Sequence, residues 1–191
     1  MIKLVFATNN AHKLEEVKAM LGAEFDLLSL ADIGCTADIP ETGDTFEHNA
    51  QQKSDYVVNH FQMDCFADDS GLEIDALDGE PGVYSAHYSG TRDMDTNIAL
   101  VLQKLGDNPD RTARFRTVIS LSIGGEQHFF DGSVEGHIIA NERGGAGFGY
   151  DPIFIPQGYE QTFAEMTAEQ KNKISHRAVA VEKLVAFLRG Q

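Results

Sequence analysis

Lys3 to Ala7, Lys-Leu-Val-Phe-Ala, reads as a short buried β-strand. It runs through the polar turn Thr8-Asn9-Asn10 into a segment where Leu14, Val17, Met20 and Leu21 recur at helical spacing, with Gly22 at the stop. A strand that feeds a helix through three polar residues is the first arm of an α/β unit. This opening constrains the chain more than any other feature, because the strand needs parallel neighbours and the helix must cover them.

The rest of the pattern agrees with an α/β fold. Phe25 to Leu30 reads as a second strand, and Pro40 to Gly43 as a loop. Thr45 is placed to cap a helix whose apolar stripe is Phe46, Ala50, Val57 and Phe61. Cys65 to Ala67 reads as a short strand ending in Asp68-Asp69-Ser70-Gly71, after which Leu72, Ile74 and Ala76 alternate with polar residues. Gly79 to Gly90 reads as loop, and Asp95 to Leu105 as a helix. Arg114 to Ile123 and Glu126 to Glu135 form a predicted hairpin about Gly124-Gly125, and Pro152 to Ile155 a predicted strand. A final helix is predicted from about Thr167. No composition break or repeat divides residues 1–191, so a single domain is expected.

Composition narrows the function classes. The 191 residues, 42% of them hydrophobic and 24% charged, suit a globular chain that needs no disulfide or structural metal. Thirty acidic residues against fifteen basic ones give a net charge of -15, which argues against nucleic acid and against an anionic membrane surface. Two cysteines without metal spacing and a first apolar run of only Leu4 to Ala7 point to a cytoplasmic protein with no membrane span.

With few cations available, their positions near turns carry information. Lys13 follows Thr8, Asn9, Asn10, Ala11 and His12 at a helix start, where unpaired N–H groups and the dipole attract anions. Simple helix capping by Asn9 or Asn10 explains the same hexapeptide. Asn49 and Lys53 share one face of the second helix, which a solvated surface would also explain. Asp68 and Asp69, with Glu41 in a nearby loop, offer the hard oxygen ligands that Mg²⁺ takes together with substrate phosphates. An Asp-Ser-Gly turn is the alternative. Gly144 to Gly149 allows close backbone approach to a flat ligand, and Phe148 or Tyr150 could stack on a ring. His176 and Arg177 stand in a helix's first turn, against the macrodipole preference, and Ser175 is a candidate cap. Lys171 and Lys173 precede them.

Four segments, Asp68-Asp69-Ser70-Gly71-Leu72, Gly82-Val83-Tyr84-Ser85-Ala86, Phe148-Gly149-Tyr150-Asp151-Pro152 and Ser175-His176-Arg177, resemble in order the inosine triphosphate pyrophosphatase family. The likeness runs from the Thr8 turn to the last helix. It implies an elongated mixed sheet flanked by helices, with two lobes around a central nucleotide-binding cleft. It implies hydrolysis of ITP, dITP and XTP to the monophosphate and pyrophosphate, with Mg²⁺ and as a homodimer. By position, Thr8, Asn9, Asn10, Ala11, His12, Lys13 and Lys53 would hold the triphosphate. Glu41 and Asp69, with Asp68 beside them, would serve the metal, and Asp69 the catalysis. Ser70, Phe148, Gly149, Tyr150, Asp151, Lys171, His176 and Arg177 would receive the rest of the nucleotide. The family's Thr8 turn often has glycine where this chain has Asn9, a residue that tolerates left-handed backbone. Two competing expectations are a Maf-like pyrophosphatase acting on other nucleotides and a catalytically silent nucleotide-binding module.

Overall fold

The computed structural model describes residues 2–190. One mixed sheet runs in the order β2-β1-β3-β4-β5-β6. Its strands are β1 Ile2–Phe6, β2 Phe25–Leu28, β3 Cys65–Ile74, β4 Thr112–Ile123, β5 Glu126–Ile138 and β6 Phe154–Pro156. The helices are α1 Ala11–Met20, α2 Phe46–Phe61, α3 Met94–Leu105, α4 Ala168–Ile174 and α5 His176–Arg189. Residues divide into two compact units, one built from 1–69, 117–132 and 177–191, the other from 70–116 and 133–176.

In the first unit, β1 pairs in parallel with β2, Ile2 opposite Phe25, and with β3, Phe6 opposite Phe66. Each face of these strands has its own core, as the two-residue strand period requires. Leu4, Phe6 and Phe66 pack with Val17 of α1 and with Ala180, Val181 and Leu184 of α5. Val5, Ala7, Cys65 and Ala67 pack with Val57 of α2 on the opposite face. The chain leaves β1 through α1 to β2 on one side, then returns through α2 to β3 on the other. The carboxyl end of β1 is therefore a topological switch point, the place where open α/β sheets bind ligands.

The second unit has a separate core. Leu72 and Ile74 of β3 pack there with Ile98 and Val101 of α3, Phe115, Tyr150, Phe154 and Phe163. The turn Gly82–His87 is a 3-10 helix where the sequence predicts loop. Its Ser85 Oγ donates to the Gly82 carbonyl and accepts from the Leu72 N–H, which holds the turn against β3. Only glycine fits at position 71, since a Cβ there would lie 2.2 Å from the Gly82 carbonyl oxygen.

Three further differences from the expectations have local causes. Asp68 to Gly71 form no turn: β3 continues through them to Ile74, because polar partners hold the buried acids in place and Gly71 makes room for Gly82. The predicted strand from Pro152 starts only at Phe154, after the 3-10 turn Asp151–Ile153. The last helix is two helices, since Ser175 takes an extended conformation (ψ 155°) between α4 and α5. Thr167 caps α4 in a reciprocal capping box with Gln170.

Candidate active site

Where β1 stops, its two faces are no longer separated, and charged residues from both converge. The Thr8–Asn10 turn follows at once. The Asn10 side chain accepts from the Lys13 N–H and caps α1, while the Thr8 hydroxyl accepts from the Asn10 N–H. Asn9 and Asn10 are exposed, as are Ala11 and His12. The capping explanation of this hexapeptide is thus realised, and it leaves the Lys13 ammonium to point elsewhere.

Lys13 reaches Asp68 at 3.0 Å. Asp68 lies on the same face as Phe66, towards α1 and α5, and is 1% exposed. Its Oδ2 also receives Arg177 Nε and Nη2 at 3.4 and 3.3 Å and the Thr117 hydroxyl at 3.4 Å. Arg177 is as deeply buried and pairs through Nη1 with Glu16 of α1. Two carboxylates hold its guanidinium, so burial is offset and its pKa stays above the usual value.

Asp69 points to the other face, towards α2. Asn49 Nδ2 donates to its Oδ2 at 3.0 Å. Lys53, one turn along α2, pairs with Glu41 and donates to the Asp68 carbonyl at 2.6 Å. Burial pushes the Asp69 carboxyl above its ordinary pKa, against the pull of Lys53 and Lys13, and neighbouring Glu41 pushes the same way. Lys13 moves the other way. Burial lowers its pKa against the attraction of Asp68, and repulsion from Lys53 and Arg177 lowers it further. Lys13 is thus close enough to Lys53 and Arg177 to be repelled by both, and Asp69 close enough to Glu41 for the same, so like charges are gathered here within ion-paired clusters.

The donor set suits a hard divalent cation. Glu41 and Asp69 supply carboxylate oxygens, and Glu41 is 36% exposed at its side chain. No group of three His, Cys, Asp or Glu forms a ready cage among the described residues. Two carboxylates completed by substrate phosphates is the usual Mg²⁺ arrangement.

In the second unit, Phe148 is half-buried at the end of the glycine-rich loop. Its N–H donates to Asp151 Oδ2 at 2.9 Å, and the same oxygen receives Lys171 Nζ at 2.7 Å. The Lys171 ammonium also lies 4.7 Å from the centre of the Phe148 ring. Gly147, at φ +75°, is needed for this close approach, because a Cβ would fall 2.2 Å from Asp151 Oδ2. Tyr150 departs from its expected role as a stacking ring. It is buried in the core, and its hydroxyl donates to the Ser85 carbonyl. Gly149 is half-buried, and Ser70 is half-buried on β3. His176 stacks on Phe115 at 4.9 Å with 13° between the rings.

Thus Lys13, Lys53, Arg177, Glu41, Asp68 and Asp69 come together in one unit, and Phe148, Asp151 and Lys171 in the other. Sequence reasoning undervalued Asn49 and passed over Glu16. The signal for Asn49 was present. It stands three residues after Phe46 and one before Ala50, inside the stripe that α2 buries.

Relatives share this sequence over its length. The dITP/XTP pyrophosphatase of Christiangramia forsetii is 52% identical over 188 residues, covering 98% of this chain and 99% of that protein. The dITP/XTP pyrophosphatase of Bacillus subtilis is 48% identical, with 98% of each chain covered. Among solved structures, the Staphylococcus aureus Ham1 protein has a TM-score of 0.90 at 42% identity, over 98% of both chains. A HAM1 protein from Coxiella burnetii has a TM-score of 0.92 at 37% identity, over the whole of both. With the Ham1 family matching residues 4–187, this chain belongs to that family.

Proposed function

We propose that this chain hydrolyses non-canonical purine nucleoside triphosphates, ITP, dITP and XTP, to the monophosphate and pyrophosphate, cleansing the cytoplasmic nucleotide pool. The observation that carries this reading is the cluster of Lys13, Lys53 and Arg177 around Asp68, with Glu41 and Asp69, at the switch point of the sheet. The names of the curated relatives support the substrate class.

Lys13 and Lys53, with the N–H groups at the start of α1, bind the triphosphate; the charge of Arg177 adds to theirs. Thr8, Asn9, Asn10, Ala11 and His12 shape that turn. Glu41 and Asp69 would hold Mg²⁺, which when bound neutralises phosphate oxygens and makes nearby water more acidic. Asp69 accepts the proton of the water that attacks the α-phosphorus, and the bond from that phosphorus to the oxygen leading to the β-phosphate breaks. A carboxyl held above the ordinary Asp range by burial is a better base near neutral pH than an exposed one.

The base is assigned to Phe148 and its neighbours. Phe148, held by Asp151 and Lys171, supplies a stacking surface. Gly149 and Tyr150 offer backbone N–H groups, and His176 a side-chain donor, to the O6 acceptor of hypoxanthine or xanthine. Adenine presents a donor there, and leaving such groups unpaired can cost on the order of 10⁴-fold in specificity. Ser70 completes the nucleotide contacts. The active form is a homodimer.

The test is pyrophosphate release from ITP, dITP, XTP, GTP and ATP, with Mg²⁺ and with EDTA. Release from the first three that EDTA abolishes is the expected result. Equal turnover of ATP and ITP would remove the polarity argument, and no release from any nucleotide would remove the activity.

A further inference from the structure

The loop bearing Glu41 is fastened to α2 by three side chains. Lys53 pairs with Glu41 itself. Gln52 accepts from the Thr42 N–H at 3.0 Å. Asn49 accepts from the Gly43 N–H at 2.7 Å and, through its other amide atom, donates to Asp69 at 3.0 Å. Asn49 thus bridges the loop backbone and the side chain of an acid on β3.

Its orientation is dictated by its partners. A backbone N–H can only donate and an ionised carboxylate can only accept. The amide oxygen must therefore face Gly43 and the amide nitrogen Asp69. Aspartate at this position would turn a carboxylate towards a carboxylate, serine would not span both partners, and leucine would satisfy neither. The residue is 3% exposed, so water does not compete for either bond.

We propose that Asn49 is a positioning residue, tying the Glu41 loop and the Asp69 carboxylate to one rigid helix so that a divalent cation meets both acids already in place. This rests on the reading of Glu41 and Asp69 as cation ligands in a nucleotide pyrophosphatase. Side chains that orient metal ligands typically matter by about 10- to 100-fold in affinity or activity.

The experiment titrates Mn²⁺ into nucleotide-free enzyme, following free Mn²⁺ by electron paramagnetic resonance, with pyrophosphate release measured alongside. Asn49→Leu and Asn49→Ser should weaken Mn²⁺ binding by about 10-fold or more and lower kcat, with KM for ITP changed by less than about threefold. Gln52→Leu, which loosens the same loop without touching Asp69, should weaken Mn²⁺ far less. In an Asp69→Asn background, Asn49→Leu should have a smaller effect on Mn²⁺ affinity than in wild type, because only the tie to the Glu41 loop is left to lose. Unchanged Mn²⁺ affinity in Asn49→Ser would overturn the proposal, as would equal losses in Gln52→Leu or an undiminished effect without Asp69. If wild-type enzyme binds Mn²⁺ in the expected pattern but releases no pyrophosphate, the functional reading fails and the positioning role stands.

Discussion

Asp151 and Lys171 form an ion pair at 2.7 Å with side chains 3% and 5% exposed, and this makes them the sharpest test of how the second unit is held. Removing one partner strands the other as a buried charge, which typically costs about 3–5 kcal/mol. Asp151→Asn is the cleaner single change. Its amide oxygen can still accept from the Phe148 N–H, so the loss isolates the charge. Lys171→Met keeps the length of the stem, removes the ammonium and takes away the cation above the Phe148 ring. Cation–π contacts of this kind contribute about 0.5–2 kcal/mol. In a chain of this size each kcal/mol shifts Tm by about 2–4 °C, so each single variant should melt roughly 6–20 °C below wild type.

The double variant decides between charge and packing. With both charges gone no uncompensated group remains buried, and the pair becomes a neutral amide beside a thioether. Calorimetry of the four proteins should give a double variant well above the sum of the single losses, with a coupling of about 2 kcal/mol or more. KM for ITP should rise in both singles, because Phe148 loses a support of its ring or of its loop. Single variants melting within about 2 °C of wild type, or strictly additive losses, would refute the claim that a desolvated charge pair sets the Phe148 surface.

Asp69→Asn should abolish pyrophosphate release while nucleotide binding persists in a filter or fluorescence assay. The same change should raise Tm at neutral pH. Burial holds this carboxyl above its ordinary 3.8, so the cost of ionising it is absent below that value and reaches full size once pH exceeds the raised pKa. The gain should therefore shrink as pH falls towards 3.8 in the metal-free enzyme; an undiminished gain at that pH would count against a buried, ionised Asp69. Glu41→Gln should lower kcat by at least about 10-fold yet bind ITP in EDTA no more weakly than wild type, since it releases Lys53 from its ion pair. Gly71→Ala should cost about 3 kcal/mol or more in urea unfolding, because its methyl would press on backbone at Gly82 that no rotamer change can move; a loss under 1 kcal/mol would contradict that packing.

What could be read from the residues follows the range of the forces involved. Local signals were legible: Thr45 caps α2, the Gly124-Gly125 pair turns the hairpin with both φ values positive, and α3 ends at Gly106. The length of β3 was not legible. Asp-Asp-Ser-Gly has turn composition, and only long-range partners such as Lys13, Arg177 and Asn49 let those acids lie within a strand. The break between α4 and α5 was hidden for the opposite reason, since Ser175 is an unremarkable residue within a helical pattern. Tyr150 illustrates a third limit. An aromatic beside a glycine loop can stack on a ligand or fill a core, and the choice depends on Ser85, 65 residues away, whose carbonyl accepts a hydrogen bond from its hydroxyl.

The charges explain how a chain at -15 can hold a triphosphate that brings about four more negative charges. Exposed acids further than about 8 Å from the ligand are largely screened at physiological salt, so the total matters less than the few groups within reach. Within reach, the three cations are each paired with an acid: Lys13 and Arg177 with Asp68, Arg177 also with Glu16, and Lys53 with Glu41. These pairings are not equivalent. Asp68 is buried and tied by several donors, so it keeps its cations in place whatever else arrives. Glu41 is partly exposed on a loop, so its bond to Lys53 is the more accessible of the two to an incoming anion. The acid excess of the sequence is thus compatible with anion binding, because Lys13 and Arg177 are held within reach by a buried acid while distant exposed charges are screened.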